Sequence, residues 1–70
     1  MKDEIFVENL KLLMNERDVN QMTLSTGIGI SQSAISAWLL GKKEPSIRSL
    51  WLLADFFDTT IDGLVGREDL

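Results

Sequence analysis

The feature that most constrains this chain is the short gap between its second and third predicted helices. Apolar residues recur at helical spacing over residues 22–28, and Ser31 is a good N-cap for the helix that follows. Gly29 can adopt the left-handed conformation that ends a helix, so only Gly29 and Ile30 separate the second helix from the cap of the third. Two short helices joined by so tight a turn are expected to cross at a steep angle.

Capping residues and glycines set the bounds of all the predicted helices. Side chains that can accept a hydrogen bond at a helix start are Asn20, Ser31, Ser46 and Thr60. Glycines that can end a helix are Gly29, Gly41 and Gly66. With the apolar spacing, these signals predict helices at about residues 3–17, 21–28, 32–40, 47–57 and 61–65. The prediction is an all-α fold, a compact five-helix bundle in which the second and third helices form a helix-turn-helix.

The length of the chain limits it to one domain. We expect a single domain over residues 1–70, with a core at about 5–66 and a frayed tail at 67–70. The fourth helix is expected to bury one face that begins at Ile47 and includes Leu50 and Phe57.

Several classes of function are excluded by residues that the sequence lacks. The 70 residues include no cysteine and no histidine, so a disulfide, a zinc site and a Ser-His or Cys-His nucleophile pair are ruled out. No apolar stretch is long enough to span a membrane, and the charged start after Met1 is unlike a secretory signal. We therefore expect a cytoplasmic protein that is not an enzyme, with no cofactor, metal or small-molecule ligand.

The net charge of −4 argues against nucleic-acid binding by bulk charge, but the charge is unevenly distributed. Residues 1–20 carry −2 and residues 51–70 carry −4, whereas residues 21–50 carry +2. The middle segment, which contains the helix pair, is thus the only net-positive third of the sequence.

Several short motifs resemble a known family. They are Asn20-Gln21, the run Gly-Ile-Ser-Gln-Ser-Ala-Ile-Ser-Ala-Trp at residues 29–38, Gly41-Lys42, Pro45-Ser46 and Leu53-Ala54. Together they resemble the phage repressor and Cro-type (Xre-like) helix-turn-helix family, whose members are compact five-helix, lambda-repressor-like domains. The resemblance implies sequence-specific binding to double-stranded DNA, usually by a dimer on a palindromic operator.

The resemblance also assigns roles to individual residues. The third helix of the family lies in the major groove, which implies base contacts from Gln32, Ser33, Ser36 and Ala37. Gln32 is the strongest of these, because glutamine can pair with two atoms of adenine. Contacts to phosphate are implied for Asn20, Gln21, Lys42, Lys43 and Arg48.

Three positions depart from the family. Met14 and Leu39 stand where many members have an Arg–Glu ion pair, and we expect the two apolar side chains to touch instead. Gly27 lies inside the second helix, where glycine costs about 1 kcal/mol relative to alanine, so this helix is expected to fray.

Some apolar residues fall off the best inward faces of their helices. They are Leu12, Leu40, Trp51, Leu52 and Phe56. Several together can mark a contact surface, and a homodimer is the expected use. A second interpretation stays open, in which the fold is a protein-interaction module, antitoxin-like or anti-repressor-like, that uses this apolar surface. A net-positive face around Gln21, Gln32, Lys42 and Arg48 would favour DNA, and an acidic face there would favour a protein partner.

Overall fold

A computed structural model describes residues 3–70, and the architecture in this part of the chain is five α-helices. They are α1 (Asp3–Glu16), α2 (Gln21–Ile28), α3 (Gln32–Leu39), α4 (Ile47–Phe57) and α5 (Ile61–Leu64). The all-α prediction is confirmed, and each helix lies within two residues of its predicted bounds. No helix among residues 3–70 has the length and apolar character needed to cross a bilayer.

All four predicted N-caps accept a hydrogen bond from the backbone of their own helix. Asn20 accepts from the amide of Thr23 at 2.8 Å, and Ser31 accepts from that of Ala34 at 3.2 Å. Ser46 and Thr60 do the same for α4 and α5, at 3.0 and 2.9 Å. Helix starts are therefore fixed locally, by side chains that satisfy free N–H groups.

Helix ends follow the predictions less closely. Gly29 ends α2 in the left-handed conformation with φ of 72°, as expected. Helix α3 ends one residue earlier than predicted, and Gly41 lies just beyond it with φ of 71°. Helix α4 ends at Phe57 as predicted, and its C-cap Asp58 takes the left-handed conformation with φ of 53° although it is not a glycine.

The core is built from every helix. Its fully buried side chains are Phe6, Leu10, Leu24, Ile35, Leu53, Phe57 and Leu64. Two expectations about α4 were wrong. Ile47 is 79% exposed, because it lies at the edge of the apolar face of α4, on the same side as the exposed Trp51. Leu52 and Phe56, which were expected to be surplus, are half-buried and pack against the core.

Asn9 of α1 and Arg17, which follows α1, bond to the ends of α5 and α4. The Asn9 side-chain amide donates to the carbonyls of Gly63 and Leu64, at 3.0 and 3.1 Å. The Arg17 guanidinium donates to the carbonyl of Phe57 at 3.0 Å, which places a cation at the negative end of α4. After Gly66, the amide of Arg67 bonds back to the carbonyl of Asp62 at 2.8 Å, and the tail from 67 to 70 is exposed.

Candidate nucleic-acid interface

The turn between α2 and α3 is held by a side chain as well as by glycine. Ser25 donates its hydroxyl to the carbonyl of Ile30 at 2.5 Å, and the amide of Gly29 bonds to the carbonyl of Ser25 at 2.9 Å. Leu24 and Ile35 are fully buried where the two helices meet. The angle of α3 is therefore fixed by the turn and by the core together.

Helix α3 has an inward side and an outward side. Ile35 and Trp38 are buried, and Ala34 and Leu39 pack beside them. The residues on the opposite side are Gln32, Ser33, Ser36 and Ala37. Gln32 and Ser33 are exposed and Ser36 and Ala37 are half-buried, so the four residues predicted to face DNA form one continuous outward surface.

A shallow groove rich in amide side chains runs beside this surface. Its lining is Lys11, Met14, Asn15, Asn20, Gln21, Met22, Gln32, Leu39 and Leu40. Three predicted contact residues, Asn20, Gln21 and Gln32, are thus brought together. The described residues that line this groove include one cation and no carboxylate. Met14 is buried and Leu39 is half-buried at the groove floor, where the family would place an ion pair.

Lys42 and Lys43 lie at the other end of α3. Their backbone amides bond to the carbonyl of Ala37 at 2.9 and 3.4 Å, which wraps the loop around the end of the helix. Both side chains are exposed. Because α3 has eight residues, the lysines stand roughly 12 Å along the helix from Gln32. The amides and the lysines therefore lie at opposite ends of the outward surface.

Arg48 and Lys11 complete the set of polar groups. Arg48 is exposed in the first turn of α4 and lies outside the amide groove. Lys11, on α1, lines the groove beside Gln21, and the sequence reasoning missed it. Lys11 belongs to a net-negative third of the sequence, and only the packing of α1 against α3 places it here.

The types of side chain present bear on metal binding and on contact with DNA bases. No cluster of three acidic side chains that could hold a metal ion occurs among residues 3–70. The outward surface of α3 carries hydroxyl, amide and methyl groups, which are suited to hydrogen bonding and van der Waals contact with base edges. The fold and this surface define a helix-turn-helix domain.

Comparison with known proteins agrees with this class. The helix-turn-helix family model matches residues 10–64, and the chain belongs to this family. The Xre-like resemblance noted from the motifs is thereby confirmed.

The curated relatives of the chain include named transcriptional regulators. The HTH-type transcriptional activator BcrR of Enterococcus faecalis is 37% identical over 65 residues, covering 93% of this chain and 32% of the relative. The HTH-type transcriptional regulator AnsR of Bacillus subtilis is 46% identical over 41 residues, covering 59% and 35%. The cryptic phage CTXphi transcriptional repressor RstR of Vibrio cholerae is 29% identical over 65 residues, covering 93% and 59%. The chain spans about a third of the length of the first two relatives. Solved structures provide no significant match.

Proposed function

We propose that this chain binds double-stranded DNA as the recognition domain of a transcriptional regulator, with α3 in the major groove. The observation that carries the proposal is the outward surface of α3, where Gln32, Ser33, Ser36 and Ala37 share one side. In helix-turn-helix proteins the residues near the start of this helix reach the base edges. Gln32 pairs with adenine, Ser33 and Ser36 bond to several bases, and Ala37 meets a thymine methyl group.

Contacts to phosphate flank the outward surface of α3 at both ends. At the start of α3, Gln21 and the free N–H groups of α2 receive one phosphate. The side-chain oxygen of Asn20 caps α2, so the side-chain NH₂ group is the part that faces the DNA phosphates. At the other end, Lys42 and Lys43 bind the phosphates across the groove, and Arg48 extends this contact along α4. Lys11 adds a fourth cation beside Gln21.

The charge of the surface favours DNA over the alternative of a protein-interaction module, which would have an acidic face here. The basic residues around α3 are Lys11, Lys42, Lys43 and Arg48. Glu44 is the acidic residue of the α3–α4 loop. The other acidic residues lie outside residues 21–50, and exposed charges more than a Debye length away, about 8 Å at physiological salt, are largely screened. The net charge of −4 then acts mainly to weaken binding to random DNA, so that affinity depends on a few specific contacts.

We propose that the regulator acts as a repressor, by occupying an operator and blocking transcription. A relative named as a phage repressor supports repression. A relative named as an activator makes activation the alternative that an experiment must distinguish. Two copies on a palindromic operator place equivalent α3 helices one DNA turn apart, about 34 Å. The chain measures 27 × 24 × 21 Å, so two adjacent copies span that distance without a linker.

A binding selection on random duplex DNA at low salt tests the function. We expect enrichment of one short motif, repeated with two-fold symmetry at a fixed spacing. A variant with Gln32, Ser33 and Ser36 all changed to alanine serves as the matched control, because it keeps every phosphate contact. Recovery of no motif by the unmodified chain would contradict the proposal. Recovery of a single unpaired motif would leave DNA binding intact and remove the palindromic operator.

A further inference from the structure

Helix α4 has an exposed face with an apolar centre. Ile47 is 79% exposed and Trp51 is 62% exposed, and both are among the largest apolar side chains that the fold leaves in solvent. Asp55 is also exposed, and spacing by four residues places Ile47, Trp51 and Asp55 on the same side of the helix. This α4 face points away from the core residues Leu50, Leu53 and Phe57 of the same helix.

The charges on the α4 face are separated along the helix. Arg48 stands at its N-terminal end, whereas Asp55 and Asp58 stand at its C-terminal end, with Asp62 of α5 beyond them. A face with an apolar centre and opposite charges at its two ends is self-complementary under two-fold symmetry. Parallel pairing of two such helices would bring like charges together, and antiparallel pairing brings opposite charges together.

A shallow groove beside Trp51 has room for a side chain of another molecule. The groove has a volume of about 320 Å³ and separates α4 from α5. Its lining is Trp51, Ala54, Asp55, Thr59, Thr60, Ile61 and Asp62. If two α4 helices cross at Trp51, residue 47 of one copy stands opposite residue 55 of the other, each about 6 Å from the crossing point. Ile47 of each copy therefore meets the groove of the other.

We propose that the α4 face binds a second copy of this chain, with the two α4 helices antiparallel and crossing at Trp51. The two Trp51 side chains pack on each other at the two-fold axis, and each Ile47 enters the groove between α4 and α5 of the other copy. Arg48 of each copy lies near Asp55 of the other. The proposal specifies the surface for the pairing of two copies in the proposed function, and it does not depend on DNA binding.

The dimer formed in this way is weak without DNA. A standard interface buries about 800 Å² of each partner, roughly a sixth of the 4630 Å² surface of this chain. Two large apolar side chains and one groove provide less than that. We therefore expect dimerisation at high protein concentration, and tighter dimerisation when DNA holds both copies.

Sedimentation equilibrium without DNA tests the proposal. We expect the unmodified chain to associate reversibly as its concentration rises from micromolar to millimolar. Trp51→Glu should raise the dimer dissociation constant about tenfold or more, because two carboxylates would meet at the axis. Leu12→Glu is the matched control, since Leu12 is 47% exposed on α1 and should associate like the unmodified chain. A chain that stays monomeric throughout, or a Trp51→Glu variant that associates normally, would overturn the proposal.

Charge reversal tests the orientation of the two helices. Asp55→Arg should weaken association, and adding Arg48→Asp in the same chain should restore it, because the attraction is then reversed in sign and retained. Failure of the double variant to recover would overturn antiparallel pairing. The indole N–H resonance of Trp51 should shift with protein concentration, while that of buried Trp38 should not.

One further measurement separates this proposal from the proposed function. On a duplex with a single half-site, Trp51→Glu should bind as the unmodified chain does, and on a two-site duplex it should lose cooperativity. Normal cooperativity would overturn the α4 interface and leave DNA binding standing. If neither chain binds DNA, the proposed function is contradicted. The sedimentation experiment then tests the dimer by itself.

Discussion

Gly27 on α2 faces the ring of Phe56 on α4, and the space between them does not admit a methyl group. A Cβ atom at position 27 would lie 2.9 Å from Cδ2 of Phe56, and closer still to Cε2. The Phe56 ring is itself held edge-on against Phe57, with ring centroids 4.9 Å apart and planes at 85°. The glycine that was expected to make α2 fray is thus the residue that lets α4 pack against it.

Gly27→Ala should destabilise the fold, although helix propensity alone predicts a gain of about 1 kcal/mol. We expect a net loss of about 1–2 kcal/mol, because the new methyl group displaces the Phe56 ring. Urea unfolding monitored by circular dichroism measures the difference. Phe56→Leu should reduce the loss when it is combined with Gly27→Ala. A Gly27→Ala chain more stable than the unmodified one would show that the ring moves aside freely.

Gln32→Ala should relax base preference at one position of each half-site. The expected cost is about 1–3 kcal/mol on the preferred sequence and little on sequences that differ at that base pair. Competition binding with a panel of single-substitution duplexes measures the profile. Gln32→Glu is a useful companion, because it keeps the length of the side chain and loses the N–H donor that adenine N7 would accept from. An equal loss on every duplex would mean that Gln32 contacts the backbone.

Lys42→Ala should weaken binding to all sequences alike and lower the slope of log affinity against log salt by about 1. Arg67→Ala removes the same formal charge from a residue that lies against Asp62 near α5 and serves as the control. Titrations at several salt concentrations compare the two variants. Identical effects of both changes would indicate that net charge, rather than a phosphate contact at Lys42, is responsible.

Asn9→Ala should cost about 1–2 kcal/mol of folding free energy, because two carbonyls at the end of α5 lose their donor. Asn15→Ala removes an exposed asparagine from the same helix and should change stability by less than about 0.5 kcal/mol. Urea midpoints of the two variants give the comparison. If Asn9→Ala unfolds at the midpoint of the unmodified chain, water replaces the side chain without loss.

The sequence predicts well those features that depend only on neighbouring residues, such as the start of each helix. Each N-cap acts on an amide three residues ahead, so Asn20, Ser31, Ser46 and Thr60 could be identified from their own surroundings. The end of α4 at Phe57 was predicted from apolar spacing, but the left-handed conformation of its C-cap Asp58 was not, because that conformation is usually adopted by glycine.

What the sequence missed depends on contacts between distant helices. Ile47 continues the apolar spacing of α4, yet the bundle does not reach it. In the sequence Lys11 is one more charge of a net-negative segment, and only the packing of α1 beside α3 places it at the groove. The roles of Gln32, Lys42 and the other predicted contact residues stay predictions, since they concern a partner.

Because α3 has an outward side and a core side, the residues proposed to choose the DNA target are not the residues that stabilise the fold. The side chains that fill the core and those that face outward alternate along eight residues, and none of Gln32, Ser33, Ser36 and Ala37 belongs to the core cluster. Substitutions at such outer positions commonly change folding free energy by less than about 0.5 kcal/mol. If α3 reads DNA as proposed, the domain can therefore acquire a new operator by changing a few codons, while the packing behind the helix is left unchanged.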